Sequence, residues 1–150
     1  VLNIEGAAWR KSDLFIGLKE PQSAQGAIIW RLKNVERFIK SGQLQKGQLE
    51  LYAEVSFENA DASARGISDL VFDESGALYI LSTVPGQSAD SQTSLLQEIE
   101  NFGPGHQQAV LLKKFPGHKA EGLAVYSGRR FTVVFDADAG EPRYLSWEKN

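Results

Sequence analysis

Three carboxylates recur in similar surroundings: Glu5 in Ile4-Glu5-Gly6-Ala7-Ala8-Trp9, Asp69 in Ile67-Ser68-Asp69-Leu70-Val71-Phe72, and Glu121 in Ala120-Glu121-Gly122-Leu123-Ala124-Val125. If a fold brings them to one axis, they form an oxygen-rich set suited to Ca²⁺, a hard cation. Without a cation, their mutual repulsion would raise their pKa values. The competing reading is structural: Glu5 and Glu121 cap strand ends or pair with Lys119 and Arg65. Arg65, His118 and Lys119 come just before these runs, and Lys19, Glu20, Asp136 and Asp138 lie where the following strands end. The candidate ligand-binding set is therefore Lys19, Arg65, Asp69, His118, Lys119 and Glu121. The candidate metal set is Glu5, Asp69 and Glu121.

Weaker signals add little chemistry. The run Asp136-Ala137-Asp138-Ala139-Gly140-Glu141 lacks the full ligand spacing of a calcium loop and reads as an acidic turn. His106 and His118 follow turn residues and have no second His or Cys at metal-ligand spacing. No nucleophile elbow, phosphate-cradling glycine loop or paired-histidine zinc motif is present. Trp9, Trp30 and Trp147 fall within strands, where packing is their expected role.

The elements that must carry these residues form a repeat. Hairpins begin at Ile4, Ile67 and Ala120; each has a short apolar strand, a polar turn and a second apolar strand. Two further strands follow in each of the first two units: Ala27–Leu32 and Leu49–Val55, then Ser94–Ile99 and Ala109–Phe115. Four strands per unit is the pattern of a β-propeller blade. The expected fold is all-β, a partial β-propeller of about three four-stranded antiparallel blades, in one domain spanning 1–150. Blade 1 covers about 4–58, blade 2 about 65–116, and an incomplete blade 3 about 119–150. Leu49–Val55 alternates, with Leu49, Leu51, Ala53 and Val55 inward and Glu50, Tyr52 and Glu54 outward, as expected of an outermost strand. A single β-sandwich is the rival architecture. One short helix is expected over Asn34–Lys40, with Val35, Phe38 and Ile39 on one side and Gly42 as its stop.

Closed propellers use about four to eight blades, so three are expected to make an arc of a six-bladed ring. The unfinished third unit and the absence of methionine favour a piece of a longer propeller, or a homodimer that hides the open faces. Net charge is −3 with scattered basic residues, which argues against nucleic acid as a partner. Cysteine is absent, excluding disulfides and thiolate metal sites. No apolar run approaches the ~20 residues of a membrane span, so a soluble protein, cytoplasmic or periplasmic, is expected.

The runs Ile4–Trp9, Ile16–Pro21 with Gly26-Ala27, Arg65–Leu70 and His118–Ala124, in that order, resemble an uncharacterised bacterial β-propeller family, a domain of unknown function. The chain resembles that family's C-terminal half, although members commonly carry Arg at Lys19 and a basic residue at Ser68. More distantly, Glu121-Gly122-Leu123-Ala124 is similar to calcium-dependent phytase-like and lactonase-like propellers, which implies Ca²⁺ held by acidic residues in a central channel. Two functions follow as expectations. One is a ligand- or partner-binding module using the channel rim; the alternative is a Ca-dependent hydrolase of phosphate or carboxylic esters.

Overall fold

The computed structural model describes residues 1–58, 64–88, 91–127, 130–137 and 141–149. All the expected strands form. The first unit is a meander of β1 (Asn3–Arg10), β2 (Asp13–Glu20), β3 (Ala27–Leu32) and β4 (Leu49–Phe57). The second comprises β5 (Gly66–Phe72), β6 (Leu78–Thr83), β7 (Thr93–Ile99) and β8 (Gly105–Pro116). The third has β9 (Lys119–Tyr126), β10 (Arg130–Asp136) and β11 (Arg143–Glu148). Turn chemistry sets the hairpins: Asp73 Oδ1 accepts the Gly76 and Ala77 N–H groups, both at 3.0 Å, and closes the β5–β6 connection. The helix α1 (Val35–Ser41) ends where Gly42 adopts φ 65° and donates its N–H to the Phe38 carbonyl. Only Val35 of α1 is buried, and Ile39 points to solvent.

The sheet is continuous in a way the repeat does not announce. β4 pairs in parallel with β8, Ala53–Phe57 against Gly105–Ala109, and merges the first two meanders into one eight-stranded sheet ordered β1-β2-β3-β4-β8-β7-β6-β5. This sheet is barrel-like and nearly closed, because its edge strands β1 and β5 lie against each other. β4 is thus an interior strand, not the outermost edge its charges suggested. Its alternation is also interrupted. Opposite the Ile29/Trp30 step β4 carries one extra residue, which turns Tyr52 toward the core and leaves Leu51 exposed.

Two cores result. The first, between the two halves of the large sheet, holds Phe15, Ile29, Val55, Ile67, Leu70 and Ile80. Phe15 meets Tyr52, Phe72 and Phe102 edge-on at 5.1–5.5 Å between ring centroids. The second core seats the three-stranded sheet on the far side of β5–β8 through Tyr79, Leu81, Leu96, Phe115, Phe131 and Val133. No helix among the described residues is long and apolar enough to cross a membrane.

β5 comes very close to the backbones of β1 and β2, and three glycines permit it. A Cβ on Gly17 would sit 2.6 Å from Ile67 and Leu70 side-chain carbons, one on Gly6 3.2 Å from the Asp69 Cα, and one on Gly66 would overlap the Lys19 carbonyl. Gly66→Ala should therefore destabilise the fold by about 2–3 kcal/mol, because backbone on both sides must move. Gly103→Ala, where a Cβ meets nothing within 4 Å, should change stability by less than about 0.5 kcal/mol. Urea unfolding of the two variants checks the contrast; equal losses would refute the close-approach argument.

Candidate functional site

A β-bulge recurs at the same place in all three first hairpins. Register slips between Ile4 and Gly6 opposite Leu18/Gly17, between Ile67 and Asp69 opposite Ser82/Leu81, and between Ala120 and Gly122 opposite Phe135/Val134. The extra residues are Glu5, Ser68 and Glu121. Asp69 is therefore the structural counterpart of Gly6 and Gly122, one position beyond Glu5 and Glu121. Bulges re-aim side chains at sheet ends, and here they gather polar groups at one end of all three meanders.

Lys19, expected at an open rim, is 4% exposed. Its Nζ bonds Glu5 Oε2 at 2.9 Å and Ser68 Oγ at 3.2 Å, and Ser68 Oγ meets Thr83 Oγ1 at 2.6 Å. One buried ammonium thus joins the bulges of the first two meanders. Asp69 performs the equivalent junction between the second and third: its Oδ2 accepts the Leu123 N–H at 2.7 Å and its Oδ1 the Leu70 N–H at 2.8 Å. Burial raises the Asp69 pKa, the two N–H groups pull it back, and the nearby Glu121 charge adds to the rise. Glu121 Oε1 lies 2.9 Å from Lys119 Nζ, an ion pair without hydrogen-bond alignment, and Lys119 also reaches Asp136 at 3.1 Å. The Glu121 carboxylate, then Asp136, hold Lys119 charged well above the usual lysine range, against burial.

Arg65 is also 4% exposed, and its Nη1 donates to the Thr93 carbonyl at 2.7 Å. The His118 ring stands by the Pro116 carbonyl, 2.8 Å from Nδ1, and lies 5.0 Å from the Phe135 ring. His106 is elsewhere, beside Ser56 on the β4–β8 pair. Among the described residues no three His, Cys, Asp or Glu side chains are grouped to hold a metal ion. Asp138 lies outside the described residues.

Sequence reasoning missed the buried polar layer beneath this end. Ser68, Ser82, Thr83, Gln92, Ser94 and Gln97 are all buried. Ser94 Oγ donates to the His118 carbonyl and accepts the Ala120 N–H, fixing the entry into β9. Gln92 brackets Val84, accepting its N–H and donating to its carbonyl. Ser82 Oγ donates to Gln97 Oε1 at 3.0 Å, while Gln97 Nε2 has no partner among the described residues. The available signal was polar residues inside otherwise apolar strands, Ser82-Thr83 after Leu78–Leu81 and Gln97 after Leu95-Leu96.

Beside His118, at the same end, a cleft of about 350 Å³ opens between the end of β8 and the start of β11. Phe115, Phe135 and Tyr144 wall it, and Lys113, Lys114 and Arg143 supply three cations, with no carboxylate among the described residues of the lining. Lys113 Nζ lies 4.9 Å from the Trp147 ring centroid. Lys114 and Arg143 have no ion-pair partner among the described residues. No protein-family model matches the chain, and its sequence finds no significant match among curated proteins.

The Asp69 junction makes a pH-dependent prediction. An aspartate whose folded pKa is raised contributes stability below its unfolded pKa that is lost as pH rises through the folded value. Asp69→Asn removes one of two acceptors for the Leu70 and Leu123 N–H groups and should cost about 1–3 kcal/mol. Because the variant lacks the titration, the gap to wild type should narrow as pH rises above the ordinary aspartate range. Urea midpoints from pH 3 to 7 measure this; a gap that widens with pH would contradict the assigned direction.

Proposed function

We propose that the chain is a β-propeller arc that works as a binding module, gripping an extended acidic segment at the bulged end of its third meander. The reading treats 1–150 as one partial propeller domain, with units at about 4–58, 65–116 and 119–150. The recurrence of one bulged hairpin at the head of three successive meanders supports it, since a repeat of that kind is how blades are built. The observation that carries the function is the cleft beside His118, where three cations and aromatic walls meet no carboxylate among the described residues. Cations beside apolar surface suit a ligand with both carboxylates and apolar side chains. β11 is an edge of its sheet, bonded only to β10 among the described residues, and an unpaired edge can accept an added strand.

The bulge cluster itself fits a positioning role. Glu5, Lys19, Asp69, Glu121 and Lys119 are engaged with one another or with backbone groups. They hold the ends of β9 and β10, from which His118 and Phe135 face the cleft.

A fluorescent peptide alternating Glu with Val tests the proposal directly. Saturable binding is expected, weakened by salt because exposed charges are screened beyond about 8 Å at physiological ionic strength. The double variant Lys114→Glu/Arg143→Glu should weaken it at least about tenfold, which corresponds to roughly 1.4 kcal/mol. Replacing a central Val by Pro should weaken it further by removing a ladder donor. Absence of binding at ~1 mM peptide, or indifference to the charge reversal, would overturn the reading.

A further inference from the structure

The three meanders have corresponding faces, and among the described residues two of those faces are unpartnered. The shared bulge aligns Ile4, Ala7, Trp9, Leu14 and Ile16 of the first meander with Ile67, Leu70, Phe72, Leu78 and Ile80 of the second. Ile67, Leu70, Leu78 and Ile80 are at most 2% exposed, packed beneath the first meander. The third meander buries the corresponding Ala120, Phe131 and Val133 beneath the second. On the first meander the same positions face solvent, with Ile4 50% and Trp9 52% exposed. The opposite face is open on the third meander, where Gly122, Ala124, Thr132 and Val134 correspond to Gly6, Ala8, Phe15 and Gly17.

We infer that the exposed face of the first meander docks onto the open face of the third meander of a second copy of this chain. Two such contacts, related by a twofold axis, would close two arcs into one ring; the inference rests on the propeller-arc reading above. Three details of the internal interface carry it. Gly6 lets β5 approach its backbone, with a would-be Cβ 3.2 Å from Asp69. At the corresponding Gly122, among the described residues a Cβ would meet only Val134 of its own sheet, which leaves room for an approaching strand. Phe72 packs on Phe15 with ring centroids 5.2 Å apart. In the open pair the larger Trp9 replaces Phe72 and the smaller Thr132 replaces Phe15. Thr132 lines a hollow of about 610 Å³ with Tyr126, Arg130 and Ser146, which gives the larger ring its room. Such an end-to-end contact joins different surfaces, so it closes a ring only where the arc's curvature permits.

Sedimentation equilibrium on the full chain at about 100 µM should give twice the 16.5 kDa chain mass. Trp9→Glu, at an exposed position, and Gly122→Gln, where an added Cβ would make only ordinary contact with Val134 among the described residues, should each yield a folded monomer, with circular dichroism and dilute-solution urea midpoints unchanged. Mixed together, the two variants should reassociate, because one unaltered face of each kind remains. A wild-type monomer would overturn the pairing while leaving the arc reading to the cleft and close-approach tests. A dimer that survives Gly122→Gln but not Trp9→Glu would overturn it too, since that outcome means like faces meet. Failure of the mixture to reassociate at about 100 µM would count equally against it.

Discussion

The contact of β5 with the backbones of β1 and β2 is the constraint on which the other arrangements depend. It is possible only because Gly6, Gly17 and Gly66 present no side chain. With Gly66 seated on the Lys19 backbone, the Lys19 side chain has little access to water. A buried ammonium must be paired and hydrogen-bonded, and the partners within reach are Glu5 and Ser68, both placed by bulges. The most conspicuous charge cluster is therefore a consequence of close packing. Breaking such a pair leaves an uncompensated buried charge, whereas forming it contributes little net stability. Its effect lies in fixing how two meanders meet.

That logic explains what could and could not be read from the amino-acid order. The strands were legible because apolar runs such as Leu78–Leu81 and Phe131–Phe135 are bounded by turn residues with defined chemistry, Asp73 and Gly76 among them. The helix stop at Gly42 was legible for the same reason. Lateral pairing was not, because nothing in the alternation of Leu49–Val55 states which strand lies alongside. Glu50, read as a guard against pairing, instead binds Arg31 at 2.7 Å and Lys33 on the meander's own surface. These partners, with the Lys33 hydrogen bond foremost against the cost of burial, hold Glu50 below the ordinary glutamate range.

The candidate site was legible at the level of region but not of register. Glu5, Asp69 and Glu121 do lie toward one end of their meanders, yet a bulge adds one residue, and a one-residue offset changes the face a side chain occupies. Ser68 took the place assigned to Asp69, and its hydroxyl carried no signal of its own. Gly6 and Gly122 were visible in the repeat, but their meaning depends on how closely the next strand approaches. Ser94 and Gln97 were hidden for a different reason, since a lone polar residue in an apolar strand is legible only once its neighbours are known.

Catalysis and binding make different demands on such an end. A reacting group needs unspent hydrogen-bonding capacity directed at a space where substrate can sit. Lys19 and Asp69 face protein partners, and Lys119 is shared between two carboxylates, so their capacity goes into order. The cations beside His118 are differently placed, opening onto a cleft with aromatic walls and, among the described residues, no counter-charge. Rigid anchoring by the bulge cluster and free charge in the cleft are complementary. The first fixes the strand ends from which His118 and Phe135 project, and the second leaves Lys114 and Arg143 able to gain more from an incoming carboxylate than from any neighbour described in the chain. On the proposed binding role, a partner's entropic cost falls because the receiving surface is already ordered by the buried layer of Ser94, Gln92 and Arg65.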